Sequence, residues 1–210
     1  MSKTLYTRLI TSGSPSIVAI PAWLRSAGIV LASSGLVALC AHIAIPLYFT
    51  PVPLSLAPFP VLLLGLLLSR RMAAAALCTY LAEGAIGLPV FAPGPLFGVA
   101  HLLGPTGGYL FAYPAAAALI SFLWRRSGRS FPEALVSAAA GNSVILLCGA
   151  LWLAALTHAS AQVVFSFAVL PFLAGDALKI AAAAGLAIGL TQFRRSSRSL
   201  LRKGAGVKLR

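Results

Sequence analysis

The sequence predicts an all-α integral membrane protein of six transmembrane helices with both termini in the cytoplasm. Three observations lead there. Hydrophobic residues make up 60% of the 210 residues and charged ones only 9%; a soluble domain of this size carries about a quarter charged residues. The apolar residues fall in six runs of spanning or nearly spanning length. The basic residues sit in small groups between alternate runs.

The runs are Ile29 to Ile45, Pro53 to Leu68, Met72 to Leu88, Gly108 to Trp124, Ala134 to Leu156 and Phe167 to Phe193. A helical span needs about 20 residues, so the first four are at the short end, and the second is the shortest and is interrupted by Pro58 and Pro60. Backbone groups in lipid must bond within their own segment, which makes each run a helix. Residues 1–25 then form a cytoplasmic N-terminal segment, 26–193 the membrane domain, and 194–210 a basic cytoplasmic tail.

Lys3, Arg8 and Arg25 precede the first run, Arg70 and Arg71 separate the second from the third, Arg125, Arg126 and Arg129 the fourth from the fifth, and seven bases follow the sixth. Lys179 is the only base outside these groups. With six spans all of them fall on one side, which the positive-inside rule assigns to the cytoplasm. This placement explains the net charge of +13 by membrane orientation and argues against a nucleic-acid partner; membrane lipid is the surrounding medium. Cys40, Cys78 and Cys148, each in an apolar run and without metal-binding spacing, read as small core residues. His42, His101 and His158 fall at outer ends or loops and read as solvated interfacial residues. No cofactor is implied.

Small residues let helices approach closely in lipid; Ser34 with Ala38, and Ala181 with Gly185 and Gly189, form such rows. The outer segment 89–107 is rich in glycine and proline yet apolar, which suggests a lid folded over the bundle. Gly107 ends it and Gly108 follows, where a Cβ would interfere; Gly108→Val is expected to lower activity with membrane expression intact.

Candidate chemistry rests on few residues. Asp176 sits inside the sixth run with Lys179 three residues on, and such residues share a helical face. A lone charge near mid-bilayer costs about 2.5–3.5 kcal/mol on insertion scales, so the pair should face the interior or a polar cavity. It is either a ligand site or internal glue. Asn142, beside Gly141, can serve a ligand or another helix. Glu83 fits an interfacial or a cavity position. Glu133 suits a helix N-terminus. No Walker A, HExxH or GxSxG pattern occurs, so neither an enzyme nor an internal ATPase is expected.

Gly87-Leu-Pro-Val-Phe-Ala92 followed by Gly104-Pro-Thr-Gly-Gly-Tyr109, then Gly141-Asn142 and Pro171-Phe-Leu-Ala-Gly-Asp-Ala-Leu-Lys179, resemble the hallmarks of the BioY family of biotin-transporter S components, over about residues 28 to 190. The resemblance implies the six-helix S-component fold in a bacterial cytoplasmic membrane, with biotin held near the outer face beneath loops. In many members it implies a transmembrane coupling subunit, met by small residues of the first helix such as Ser34 and Ala38, and two cytoplasmic ATPases. Biotin suits the residues. Asp176 can accept from the ureido N–H groups, Lys179 can donate to the ureido carbonyl or pair with the carboxylate, and Phe91, Tyr109 and Gly108 can accommodate the apolar body. An S component for another vitamin, or a structural membrane protein, are the alternatives.

Overall fold

The structure, a computed structural model, describes residues 21–206, with side chains to Phe193 and that of Ser196. Lys3, Arg8, Lys208 and Arg210 therefore lie outside the described residues, as do the side chains of the other tail bases. Eight α-helices and one two-stranded ribbon are found among the described residues: α1 (Ala22–Ala41), β1 (Ala44–Ile45), β2 (Leu54–Ser55), α2 (Pro58–Leu67), α3 (Arg70–Ala85), α4 (Gly98–Leu103), α5 (Gly107–Arg126), α6 (Phe131–Thr157), α7 (Ala161–Ala168) and α8 (Leu173–Gly206), the last preceded by a 3₁₀ turn at Leu170–Phe172.

Among the described residues, four segments are long and apolar enough to cross a membrane: α1, α5, α6 and the stretch from Ala161 to Phe193. The exterior carries large apolar side chains, among them Trp23, Leu39, Leu147, Leu151 and Leu178, as a lipid-facing surface requires.

The second run forms only a ten-residue helix, α2, which rises about 15 Å, half of the ~30 Å hydrocarbon core. Its outer part is instead the ribbon strand β2, paired antiparallel with β1 through Ala44–Ser55 and Ile45–Leu54. Short, partly extended backbone is tolerated at membrane depth where protein surrounds it. The helix itself is enclosed: every residue from Pro60 to Leu66 is buried, and α2 packs against α1, α3, α5, α6 and α8, while Leu54 and Ser55 of the ribbon are half-buried. A helix apolar all round is a central helix. A Cβ on Gly65 would stand 2.8 Å from Cβ of Ile120, so the glycine permits the close approach of α5.

The sixth run is also divided. Pro171 lacks an N–H and disfavours helical backbone at the residue before it, and α7 gives way to the 3₁₀ turn there. Asp176 consequently lies in the first turn of α8. Segment 157–166, between the fifth and sixth apolar runs, supplies most of α7.

Arg70 and Arg126 flank the ring of Phe122, with guanidinium carbons 6.0 and 4.2 Å from its centroid. Two of the basic groups, far apart in the chain, thus meet at one end of the bundle. There the Glu133 carboxylate accepts from the N–H of Ser130 at 2.7 Å and of Gly128 at 3.0 Å, capping α6. At the ribbon, Thr50 Oγ1 donates to the Phe167 carbonyl at 2.9 Å.

Three expectations are corrected. Ser34 is fully buried and donates to Glu83 Oε2 on α3; it ties α1 to α3, is closed to an outside partner, and gives Glu83 its role. Ala38 is half-buried against the core. The row Ala181, Gly185, Gly189 faces outward, and α8 packs through Ala183, Ala184 and Ala187 instead. Cys78 is exposed, on the outer face of α3, whereas Cys40 is buried.

Candidate functional site

A small cleft opens between the ribbon, α3, α5, α6 and α8. Its wall is largely apolar and aromatic, including Val52, Tyr80, Tyr113, Ile145 and Phe172.

The charged groups of the cleft come from α8. Both are buried, Asp176 with 4% and Lys179 with 8% of its surface exposed. Lys179 Nζ donates to Asp176 Oδ1 at 3.0 Å. Asn142 Nδ2, from α6, donates to Asp176 Oδ2 at 3.0 Å. Each carboxylate oxygen thus has one internal partner, and the cluster bridges α6 and α8. It is not exhausted by doing so. A carboxylate has about four acceptor sites and an ammonium three donors, and Asn142 Oδ1 is buried with no partner among the described residues.

Of the residues expected at the site, Asp176, Lys179 and Tyr109 line the cleft. Tyr109 donates its hydroxyl to the Ala168 carbonyl at 2.6 Å, anchoring α5 to the end of α7. Asn142 stands behind the wall and holds Asp176. Phe91 packs edge-on to Tyr80 at 5.4 Å and stacks on His101 at 4.9 Å, so the 89–107 segment is pinned into the bundle by this ring. Gly84 on α3 leaves the space: a Cβ there would overlap the Phe91 ring. Gly108 also lies away from the cleft, where α5 crosses α6; a Cβ on it would stand 2.6 Å from the Cys148 carbonyl oxygen and overlap Trp152. Trp152 in turn donates to the Gly104 carbonyl at 2.9 Å, fastening the far end of the same segment.

Sequence reasoning missed Tyr80, Tyr113, Phe172, Ser55 and His101, all in the wall. His101, expected in solvent, is 9% exposed and bonds through Nδ1 to the Leu96 carbonyl at 3.0 Å. A tyrosine in an apolar span is the signal that could have pointed to Tyr80 and Tyr113, since its hydroxyl needs a partner when buried. The ribbon that brings Ser55 left no such signal.

The model of the BioY family matches residues 11–196. The chain belongs to the BioY family. Among BioY relatives, the probable biotin transporter BioY of Pyrococcus horikoshii is 41% identical over 133 residues, 63% of this chain and 76% of the relative. The biotin transporter BioY of Thermotoga maritima is 37% identical over 160 residues, 76% of this chain and 92% of the relative. The crystal structure of the S-component for biotin from an ECF-type ABC transporter superposes with a TM-score of 0.74 at 24% identity, covering 83% of this chain and 95% of that one. The fold is therefore that of an S component, and this BioY chain is a multi-pass membrane protein.

Proposed function

We propose that this protein takes up biotin across the cytoplasmic membrane, binding it in the cleft of α3, α5, α6 and α8. The observation that carries the reading is the buried Asp176–Lys179–Asn142 cluster in an otherwise apolar and aromatic wall. Biotin presents two ureido N–H groups, a ureido carbonyl and a carboxylate on an apolar frame. Asp176 accepts from the N–H groups, Lys179 donates to one of the oxygens, and Tyr109, Tyr113 and Phe172 meet the frame. Phe91 and Gly108 act indirectly, by seating the 89–107 segment that closes the mouth.

The chain crosses the membrane six times, through α1, α2 continued outward by the ribbon strand β2, α3, α5, α6 and α8, with both termini in the cytoplasm. The grouped bases support this, as does the meeting of Arg70 and Arg126 over Phe122. In a cysteine-free background, single cysteines at Ser127 and Ala159 should label from opposite sides; labelling of both from one side would end the six-span reading. A transmembrane coupling subunit and two cytoplasmic ATPases would supply the energy for uphill transport, in keeping with the ECF-type transporter to which the superposed S-component belongs.

The decisive experiment sets biotin affinity by calorimetry beside melting temperature for Asp176→Asn, Lys179→Met and the double variant. Each single change strands a buried group and should lower the melting temperature; the double variant should recover it. Affinity should not recover. Losing one charged hydrogen bond to the ligand costs about 1.5–3 kcal/mol, roughly ten- to a hundredfold. A double variant that binds biotin like the wild type would reduce the pair to internal glue.

A further inference from the structure

Tyr80 on α3 has no exposed surface, lines the cleft, and its hydroxyl meets no hydrogen-bond partner among the described residues. Buried polar groups are nearly always paired, and each exception calls for a reason. The ring is held from two directions, edge-on by Phe91 at 5.4 Å and nearly parallel to Tyr113 at 6.4 Å and 21°. Flipping the ring about its own axis leaves the phenolic oxygen where it is, so the hydroxyl cannot find a partner that way. Phenylalanine would keep both ring contacts without the orphaned group. Tyr109 offers the contrast: it lines the same cleft, but its hydroxyl is spent on the Ala168 carbonyl.

We infer that Tyr80 is a specificity-determining residue whose hydroxyl donates a hydrogen bond to an oxygen of the bound substrate. The inference rests on the biotin reading and completes it. Biotin carries two separate acceptor groups, the ureido carbonyl and the carboxylate. Ionised Asp176 can only accept, and Lys179 reaches one of the two ends. Tyr80 is the donor for the other. Its hydroxyl is closed to solvent, so contact comes with side-chain movement on binding, which is common at binding sites.

The test uses the full-length chain purified in detergent, with biotin affinity from calorimetry and the melting temperature of the ligand-free protein. Tyr80→Phe should weaken biotin about five- to tenfold, the range of one neutral hydrogen bond. It should leave the ligand-free melting temperature unchanged or raised, because a partnerless buried hydroxyl is removed. Two analogues then locate the acceptor: one with the ureido carbonyl replaced by an imine, one ending in a methyl group in place of the carboxyl. The variant's penalty should vanish for the analogue that has lost the oxygen Tyr80 meets. Unchanged biotin affinity in Tyr80→Phe, a fall in melting temperature alongside affinity, or a penalty undiminished with both analogues would each overturn the inference. Failure of the wild-type chain to bind biotin would instead defeat the reading beneath it.

Discussion

Glycines at helical spacing occur on both α6 and α8, and the two helices use them in opposite ways. On α6, Gly141 and Gly149 are notches filled by α5: a Cβ would overlap Ile120 at the first and the ring of Tyr109 at the second. Gly108 returns the contact from α5, lying on Cys148 and Trp152. On α8, Gly185 and Gly189 have nothing within 4 Å of a would-be Cβ. The sequence pattern is nearly the same. What differs is which face turns inward, and on α8 that is decided by Ala183, Ala184 and Ala187, which are buried without any exposed surface. Small residues in a membrane helix therefore permit close packing without specifying it; the partner's side chains decide.

The largest effect should come from the α5–α6 contact. In Gly108→Val three carbons enter a space bounded by the Cys148 carbonyl and Trp152. Neither can yield easily, because one is helix backbone and the other is tied to Gly104. Overpacking typically costs 1–3 kcal/mol and sometimes more; against backbone we expect the upper end or beyond. Membrane-inserted folded protein should fall severalfold, measured by fluorescence size-exclusion chromatography of detergent extracts. This replaces the expectation from sequence that only uptake would suffer. A well-folded Gly108→Val protein would show that the helix pair can separate at that point.

Gly149→Ala should have an intermediate effect of a different kind. The added methyl meets a side chain, the Tyr109 ring, which can move. Moving it strains the bond from its hydroxyl to Ala168 and alters the cleft wall that Tyr109 forms. Stability should drop by about 1–2 kcal/mol, and biotin affinity should fall about tenfold. Tyr109→Phe, which deletes only the hydroxyl, separates the two consequences: it should reproduce the loss of stability and spare most of the affinity. Equal affinity loss in both variants would make the Tyr109 hydroxyl a direct ligand group.

The same contrast marks how far the sequence could be read. The membrane character, the grouping of bases and the Asp176–Lys179 pair follow from composition and helical spacing, because lipid exacts a cost for each charge wherever the helix happens to face. The pairing of Asn142 with Asp176 was open, since an amide in a span can turn either way. The ribbon at Ala44–Ser55 and the division of α7 from α8 were illegible: both replace helix by extended or 3₁₀ backbone inside apolar runs, and hydropathy does not distinguish these. Facing was the other blind spot. Ser34 and Ala181 belong to equally plausible small-residue rows, yet one is buried on Glu83 and the other points outward.

The smallest effect should come from α8, where the comparison predicts almost nothing. Alanine exceeds glycine in helix propensity by about 0.8–1.0 kcal/mol per residue in water. At Gly185 and Gly189 no neighbour opposes the added methyl. Lipid already prevents the backbone from leaving the helix, so part of that preference is lost in the membrane. The Gly185→Ala, Gly189→Ala double variant of the isolated chain should therefore melt at the wild-type temperature or slightly above it, and bind biotin within about twofold of wild type. A fall in melting temperature would show that this face is packed against something in the isolated protein. Glycine on α8 would then be a spacer of the same kind as on α6, and the distinction drawn between the two helices would fail.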